Sequence, residues 1–314
     1  MTEISVTNVP HRLKALYTLI RIVPLLCWGI SSSLVGLGFA HTFNDRLSWL
    51  DYGLIIVLIT LIHGVISHAF NDREDWLSGT DPLSPGVLSG GSKVIGKSYY
   101  RLDDLSRVAK TALMLVLIMA AYFLWKFGLS VLILFAIGIW SAIAYTCPPF
   151  RFSYYPLAGE WLCAFPALLA CTVGTCYVLT GAIYPVAVIG GAIHALLSIG
   201  LLMHHHLSDI SSDLQANPRK LTTVALAAIT LSIAKAPLVE LVYFFLALVT
   251  GIAGALLFHP VFWVTIPFSL GCMWVAITTH PQDIINITNQ EYLLYCLIIG
   301  DAVAKAVFLF GIIY

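Results

Sequence analysis

Long apolar runs follow one another along almost the whole chain, and they limit the possible folds more than any other feature of the sequence. Only 10% of the 314 residues are charged, against about a quarter in soluble proteins. Nine runs are long enough to cross about 30 Å of hydrocarbon as helices, at residues 18–40, 51–70, 109–125, 128–146, 157–181, 183–207, 237–258, 260–279 and 292–313. We therefore predict an all-α polytopic membrane protein with nine transmembrane helices in one bundle, forming a single domain over residues 1–314.

Lysine and arginine are distributed unevenly between the two sides of this arrangement. If the N-terminus lies inside, thirteen of them fall on the inner side and two, Arg46 and Lys126, on the outer side, with Lys305 set aside in the last span. Such an excess is typical of cytoplasmic loops. We therefore expect the loop that contains Asp81 to be cytoplasmic and Tyr314 to be external, in a bacterial inner membrane. We expect lipid, and no nucleic acid, as a partner.

Two clusters of carboxylates interrupt the apolar pattern, and both lie on the predicted cytoplasmic side. In the first, Asp72 and Asp75 are three residues apart and share one face if the second helix continues through them, and Asp81 follows after a turn. In the second, Asp209 and Asp213 are four residues apart and again share a helical face. We expect the two clusters to face each other.

So many carboxylates repel one another unless a cation neutralises them. Mg²⁺ prefers oxygen ligands and is typically bound by one or two carboxylates together with substrate phosphates. We therefore predict a site for Mg²⁺ and a diphosphate in which these five aspartates, supported by Asn71, are the metal ligands, with Asp72, Asp75, Asp209 and Asp213 as catalytic residues.

Basic and aromatic residues on the same side are candidates for the rest of the site. Lys93, Lys97, Arg151 and Lys220 could neutralise the diphosphate as it leaves, although each alone is equally explained as an ordinary cytoplasmic charge. Tyr145, at the end of the fourth span, could stabilise an allylic cation with its ring or could be an interfacial tyrosine.

The two acidic motifs carry a family resemblance. Asn71-Asp72-x-x-Asp75 with Asp81, followed by Asp209-x-x-x-Asp213 on a nine-span chain, resembles the UbiA superfamily of intramembrane prenyltransferases. The 1,4-dihydroxy-2-naphthoate polyprenyltransferases of menaquinone synthesis are most similar in Ser-Gly-Thr-Asp-Pro, Gly-Gly-Ser-Lys-Val-Ile and the segment from Pro148 to Glu160. Arg21 also resembles a family position. The resemblance implies a helical bundle with a lateral opening to lipid, two Mg²⁺ ions and transfer of a prenyl chain to an aromatic ring.

The sequence departs from that subfamily just before the second acidic motif. It reads His205-His206-Leu207-Ser208-Asp209 where the subfamily usually has Asn-Asn-x-Arg-Asp. We expect His205 and His206 to bind the acceptor rather than the diphosphate. A metal site made of His204, His205 and His206 is disfavoured, because consecutive helical residues point about 100° apart.

These observations together predict Mg²⁺-dependent transfer of a prenyl group from a polyprenyl diphosphate to an aromatic quinone precursor. The main alternative is a terpene cyclase on the same scaffold, in which the double bonds of the substrate itself capture the cation. A membrane carrier without chemistry is the third class, but it gives no reason for two acidic clusters on one side.

Overall fold

The computed structural model describes residues 9–311, and every regular element in that range is a helix. We number the helices in chain order and join each π or 3₁₀ stretch to the helix that it continues. They are α1 Val9–Ile20, α2 Ile22–Phe43, α3 Trp49–Ser78, α4 Thr80–Leu83, α5 Leu102–Phe127, α6 Val131–Ala144, α7 Glu160–Thr180, α8 Pro185–Leu207, α9 Ile210–Gln215, α10 Thr223–Thr230, α11 Ile233–Leu257, α12 Pro260–Thr278 and α13 Ile284–Gly311.

The predicted all-α bundle is confirmed. Among the described residues, eight helices are long and apolar enough to span a membrane, namely α2, α3, α5, α7, α8, α11, α12 and α13. The remaining predicted span, residues 128–146, is α6, which has only 14 residues. It is shorter than its apolar run because the chain turns at residues 129–130 and again at 145–146. Tyr314 lies outside the described residues, so the prediction for the C-terminus is not addressed.

The first predicted span, residues 18–40, is broken near its start. Arg21 adopts left-handed backbone angles (φ 50°, ψ 70°), which separates α1 from α2, and such angles are uncommon for a residue other than glycine. The last span begins at Ile284, eight residues before the predicted start at 292. The apolar stretch before span 7 forms the separate short helix α10.

The core is built around α8. From Ile193 to Leu207, Leu202 alone retains partial exposure, and the helix packs against α2, α7, α11 and α13. In contrast, α5 leaves large apolar side chains such as Met114 and Ile118 exposed. A soluble protein avoids such a surface, whereas a lipid-facing helix requires it.

Backbone hydrogen bonds bring the two acidic segments to the same end of the bundle. Helix α3 continues as far as Ser78 and ends where Gly79 adopts φ +88°, as is common at helix C-termini. The amide of Asn217, in the loop after α9, donates to the Ser78 carbonyl at 2.8 Å. The Leu221 amide donates to the Tyr154 carbonyl at 3.1 Å. Both acidic segments are thereby fixed against each other.

Candidate active site

A cavity of about 250 Å³ runs through the half of the bundle formed by α2, α3, α5, α6, α7 and α8. Ile55 and Asp75 both line it, and twenty residues of one helix correspond to roughly 30 Å. Its walls are apolar over most of that length. Its polar end is lined by Arg21, Asn71, Asp75, Asp81, Tyr145, His205, His206, Asp209 and Lys220.

The first acidic cluster lies on the last turns of α3 and on α4. Asp75 accepts hydrogen bonds from Asn71 Nδ2 at 2.8 Å and from the Tyr154 hydroxyl at 2.8 Å. Asp72 accepts a bond from the backbone amide of Ser92 at 3.1 Å and another from its hydroxyl. Both carboxylates are about 97% buried, so these hydrogen bonds replace the water that burial removes.

The second cluster lies where α8 gives way to α9. Asp209 accepts hydrogen bonds from the hydroxyls of Ser84 and Ser89, the latter at 2.8 Å. Both serines belong to the loop that follows α4, and Ser92 in the same loop binds Asp72. This serine loop, residues 84–92, therefore bridges the two clusters.

Lys220 is the cation that joins the clusters. Its ammonium donates to Asp75 Oδ2 at 2.7 Å and lies 3.8 Å from Asp213 Oδ1, while its side chain is almost fully buried. Burial alone would lower the pKa of Lys220, but the neighbouring carboxylates outweigh that effect and raise the pKa well above its usual range. Among the described residues, Lys220 makes the only ion pairs with these five aspartates.

Asp213 differs from Asp72, Asp75 and Asp209 because its carboxylate accepts no hydrogen bond from the described part of the chain. It is 0% exposed, and neither oxygen has a hydrogen-bond partner in the described part of the chain. Burial raises the pKa of Asp213, and Lys220 offsets only part of that increase. A buried carboxylate without partners is costly, and an additional cation would remove that cost.

The residues present fit Mg²⁺ in company with a phosphate ligand. Within residues 9–311, no three His, Cys, Asp or Glu side chains come close enough to hold a metal ion by themselves. Mg²⁺ does not need such a cage, since one or two carboxylates with water and phosphate oxygens complete its coordination shell. The free oxygens of Asp213 and the surplus of carboxylates over Lys220 provide such a partial site.

The serine loop approaches the carboxylates so closely that one position excludes a side chain. Gly91 adopts φ +71°, and a Cβ atom there would overlap Asp81 Oδ2 and lie 2.8 Å from Asp72 Oδ1. Burial, with Asp75 and Asp72 nearby, raises the pKa of Asp81 well above its usual range. The backbone at Gly91 therefore covers these carboxylates directly.

The other predicted site residues separate into two groups. Tyr145, His205, His206, Arg21 and Asn71 line the cavity, as do three of the five aspartates, Asp75, Asp81 and Asp209. Asp72 borders a small neighbouring pocket, and Asp213 contacts Lys220. Lys93 lies behind Gly90, beside Asp72 and Asp81. Two basic residues lie away from the cavity: Lys97 is exposed, and Arg151 pairs with Glu74 at 3.1 Å.

Three stretches of π-helix flank the cavity. They are Leu26–Ile30 in α2, Thr60–Ser67 in α3 and Glu160–Ala164 in α7, and each contributes lining residues, among them Trp28, His63 and Cys163. Such insertions occur often at functional sites. They mark this cavity independently of the acidic motifs.

One wall of the cavity is rich in aromatic and imidazole rings. The ring centroid of Trp28 lies 5.7 Å from His63 and 6.4 Å from His205. His205 Nδ1 is 2.7 Å from Glu291 Oε1 on α13, and Nε2 is 3.3 Å from an Arg21 guanidinium nitrogen. The sequence motifs did not reveal the parts played by Trp28 and Glu291.

The neighbouring His204 makes a similar pair but faces away from the cavity. Its Nδ1 is 2.8 Å from Glu240 Oε2 and its Nε2 is 3.0 Å from the Ile287 carbonyl, so both nitrogens have partners. The arrangement agrees with the expectation that consecutive histidines diverge, because His204 is absent from the cavity lining while His205 and His206 belong to it.

Comparisons with known proteins place the fold. No protein-family model matches the chain, and no curated protein matches it either. Among solved structures, a UbiA homolog from Archaeoglobus fulgidus bound to GPP and Mg²⁺ superposes with a TM-score of 0.65 at 16% identity, covering 93% of this chain and 99% of that one. The same homolog bound to DMAPP and Mg²⁺ gives 0.63 at 17%, covering 93% and 98%. The chain thus has the fold of these UbiA homologs.

Proposed function

We propose that this protein is a prenyltransferase of the UbiA superfamily, which moves a prenyl group from a polyprenyl diphosphate to an aromatic acceptor with Mg²⁺. The observation that carries the proposal is the position of Asp213. Its carboxylate, which has no hydrogen-bond partner in the described part of the chain, lies 3.8 Å from the Lys220 ammonium. Lys220, Asp75 and Asp209 in turn line the polar end of a long apolar cavity. A diphosphate with an apolar tail matches both ends of that cavity, and the similar structures hold GPP and DMAPP, which are prenyl diphosphates.

The aspartates would hold the two Mg²⁺ ions that the family resemblance implies, with Asp72, Asp75, Asp209 and Asp213 as principal ligands and Asn71 and Asp81 in support. Bound Mg²⁺ supplies positive charge that stabilises the departing diphosphate. Lys220 and Lys93 lie at the same end and would bind its remaining oxygens.

The apolar walls would bind and orient the prenyl chain. They also exclude water, which would otherwise capture the allylic cation. Tyr145 lines the cavity at its polar end, where its ring would face the positive carbon. The roughly 30 Å between Ile55 and Asp75 along α3 suits a chain of several isoprene units.

The setting of the site follows from its charges. We place the acidic end at the cytoplasmic face of a bacterial inner membrane, on the excess of lysine and arginine in the loops at that side. The acceptor that the sequence motifs favour is an aromatic quinone precursor.

The test is metal dependence combined with charge removal. Purified protein with GPP, Mg²⁺ and an aromatic acceptor should lose product formation with a chelator and regain it with Mg²⁺. Asp72→Asn and Asp209→Asn should each lower turnover roughly a hundredfold, since metal-assisted departure supplies several kcal/mol. Asp45→Asn, in an exposed loop, is the matched control. Near-parental, chelator-insensitive turnover in the Asp72→Asn and Asp209→Asn double variant would refute the proposal.

A cyclase is a second candidate, and the rings of Phe123, Phe135 and Tyr145 along the cavity favour it, because aromatic faces stabilise migrating cations. Incubation with prenyl diphosphate alone separates the two. A cyclic hydrocarbon or alcohol identifies a cyclase, whereas product formation that requires an aromatic acceptor identifies a transferase.

A further inference from the structure

We infer that Trp28, His63, Ser198, His205 and His206 form the acceptor subsite, which takes a neutral hydroxyarene, and that His205, oriented by Glu291, accepts the proton of its hydroxyl group. The inference rests on the proposed function, since it assigns the second substrate of the same site. All five residues line the cavity. They come from α2, α3 and α8, which converge there.

Unpartnered polar atoms point to a missing ligand. Trp28 Nε1, Ser198 Oγ and His206 Nδ1 are buried, and none has a hydrogen-bond partner in the described part of the chain. Ser198 is 1% exposed and His206 is 7% exposed. Buried polar groups in folded proteins are nearly always hydrogen-bonded. A ligand with oxygen atoms would satisfy these three within one compartment.

The shape of the compartment suits a flat ring. The Trp28 ring stands between His63, at a centroid distance of 5.7 Å and an interplanar angle of 32°, and His205, at 6.4 Å and 79°. Aromatic rings prefer offset or edge-to-face neighbours at such distances. His205 also lies four residues before Asp209, so a ring beside it is about one helical turn from the diphosphate site.

The hydrogen bonds of His205 set its role. Glu291 is 2% exposed, and its carboxylate accepts the Nδ1–H bond at 2.7 Å, which leaves the lone pair on Nε2. The Arg21 guanidinium approaches this nitrogen at 3.3 Å, and the acceptor hydroxyl group would replace it there. A base held by a buried carboxylate in this way resembles the orienting pair of a catalytic triad. His204 has an equivalent carboxylate, but it is absent from the cavity lining, and its Nε2 lies 3.0 Å from the Ile287 carbonyl.

Charge in the compartment favours a neutral acceptor. Arg21 is the cation beside His205, and its guanidinium already donates to the Leu88 carbonyl at 2.7 Å and to His205. Lys220, the cation near His206, is already paired with Asp75 and Asp213. Glu291 balances the charge of Arg21 from behind His205. An acceptor carboxylate would therefore bring a second negative charge beside Glu291, which is costly in a buried site.

The proposed reaction is balanced in protons and electrons with these groups. As the allylic carbon–oxygen bond breaks, its electron pair leaves with the diphosphate. His205 takes the hydroxyl proton of the acceptor, and a ring electron pair forms the new carbon–carbon bond. The hydrogen on that ring carbon then moves to the oxygen and restores the hydroxyarene. The net released proton is the one on His205, which passes to solvent.

The experiment compares two adjacent histidines and three acceptors. With Mg²⁺ and GPP, the acceptors are 1-naphthol, its carboxylated counterpart 1-hydroxy-2-naphthoate, and a nitro-substituted naphthol whose hydroxyl group is already ionised at the assay pH. The variants are His205→Gln, Glu291→Gln and the matched control His204→Gln, and products are measured by mass spectrometry. Thermal unfolding of each variant shows whether it is folded.

We expect the parent to use 1-naphthol in preference to the carboxylated ring. His205→Gln should lower kcat for 1-naphthol by about a hundredfold, within the range of general-base catalysis, and Glu291→Gln by about tenfold. With the ionised acceptor, the ratio of parent kcat to His205→Gln kcat should fall below about threefold. A merely structural defect would not produce this fall. For His204→Gln, the ratio of parent kcat to variant kcat should be the same with 1-naphthol and with the nitro-substituted naphthol.

Three results would overturn the inference. The first is a preference of the parent for the carboxylated ring. The second is an equal loss of kcat for His205→Gln with 1-naphthol and the nitro-substituted naphthol, and the third is the same dependence on the acceptor in His204→Gln as in His205→Gln. The proposed function is checked separately by Mg²⁺-dependent release of diphosphate from GPP by the parent. If release occurs and the acceptor pattern fails, only the acceptor subsite is wrong. If no release occurs, the prenyltransferase proposal itself fails.

Discussion

Replacement of Asp213 by asparagine should separate stability from function. Asp213 is fully buried with neither oxygen hydrogen-bonded, and the Lys220 ammonium 3.8 Å away is its nearest cation. Asparagine keeps the size of the side chain and removes its charge. In the absence of metal, Asp213→Asn should therefore stabilise the protein, because it removes the penalty of an unpartnered buried carboxylate.

The magnitude follows from that penalty. A buried group left unsatisfied costs about 1–3 kcal/mol, and more when it is charged. The loss of attraction to Lys220 offsets little of this, because Lys220 keeps its 2.7 Å bond to Asp75. A gain of about 1–3 kcal/mol corresponds to a rise of roughly 2–6 °C in Tm for a chain of this size.

The assay is thermal unfolding of the purified protein, first with a chelator and then with Mg²⁺ and GPP. Ligands at a hundred times their Kd stabilise a protein by about 2.7 kcal/mol, and the parent should show that gain in full. Asp213→Asn should show much less of it and should lose most of its turnover. The Tm advantage of Asp213→Asn should therefore shrink when Mg²⁺ and GPP are present, and the order of the two Tm values should reverse if its gain in chelator is smaller than the roughly 2.7 kcal/mol that the ligands give the parent.

The exposed Asp45 provides the control, since Asp45→Asn should change neither Tm nor the gain from ligands. The reasoning is wrong if Asp213→Asn lowers Tm in the presence of chelator, or if Mg²⁺ and GPP stabilise it as much as the parent. Either result would mean that the buried carboxylate is not an uncompensated charge awaiting a cation.

Three further outcomes are expected. Lys305→Met should lower the free energy of unfolding by about 3–5 kcal/mol, because it leaves Asp301 buried and unpaired. The two side chains form a fully buried ion pair at 2.6 Å. In thermal unfolding, the Lys305→Met and Asp301→Leu double variant should recover most of this loss. Phe123→Ala should shift the ratio of kcat/KM values toward longer prenyl diphosphates by tenfold or more. Phe123 lines the cavity far from the acidic end, and apolar pockets distinguish substrates of different length by about 1–3 kcal/mol. An unchanged preference for chain length would contradict this. In chelator, the Tm should fall as the pH rises from about 4. The pKa values of Asp81 and Asp213 are raised in the folded protein, so the folded protein keeps protons that the unfolded chain has already lost. Excess Mg²⁺ should remove this fall in Tm.

The aspartates could be predicted from the sequence because each cluster has helical spacing at the end of an apolar run. Their partners could not. Ser84, Ser89 and Ser92 occur in a polar loop where serine is ordinary, and only the path of that loop brings their hydroxyls to Asp209 and Asp72. Tyr154 lies within the segment from Pro148 to Glu160 that resembles the family. The resemblance therefore pointed to Tyr154, although a tyrosine as such does not indicate a metal site.

The same limit applies to the lengths of the helices and to the positions of the basic residues. Lys97 and Arg151 have the charge that a diphosphate site needs, but loop geometry leaves one exposed and pairs the other with Glu74. Arg21 breaks an apolar run by its backbone conformation, which hydropathy does not report. Glu291 is 86 residues from His205, and a contact of that separation leaves no local pattern.

The shortness of α6 bears on how the substrate of the proposed reaction would reach the site from the membrane. Fourteen helical residues extend about 21 Å, roughly 9 Å less than the hydrocarbon thickness of a bilayer. Such a hydrophobic mismatch is relieved when the membrane thins locally or when flanking polar turns sink into it. Because α6 forms a wall of the cavity, either adjustment would carry phospholipid head groups, and with them the membrane-anchored diphosphate of the proposed reaction, toward the depth of the acidic clusters. Turnover in reconstituted vesicles should then vary with the acyl chain length of the host lipid.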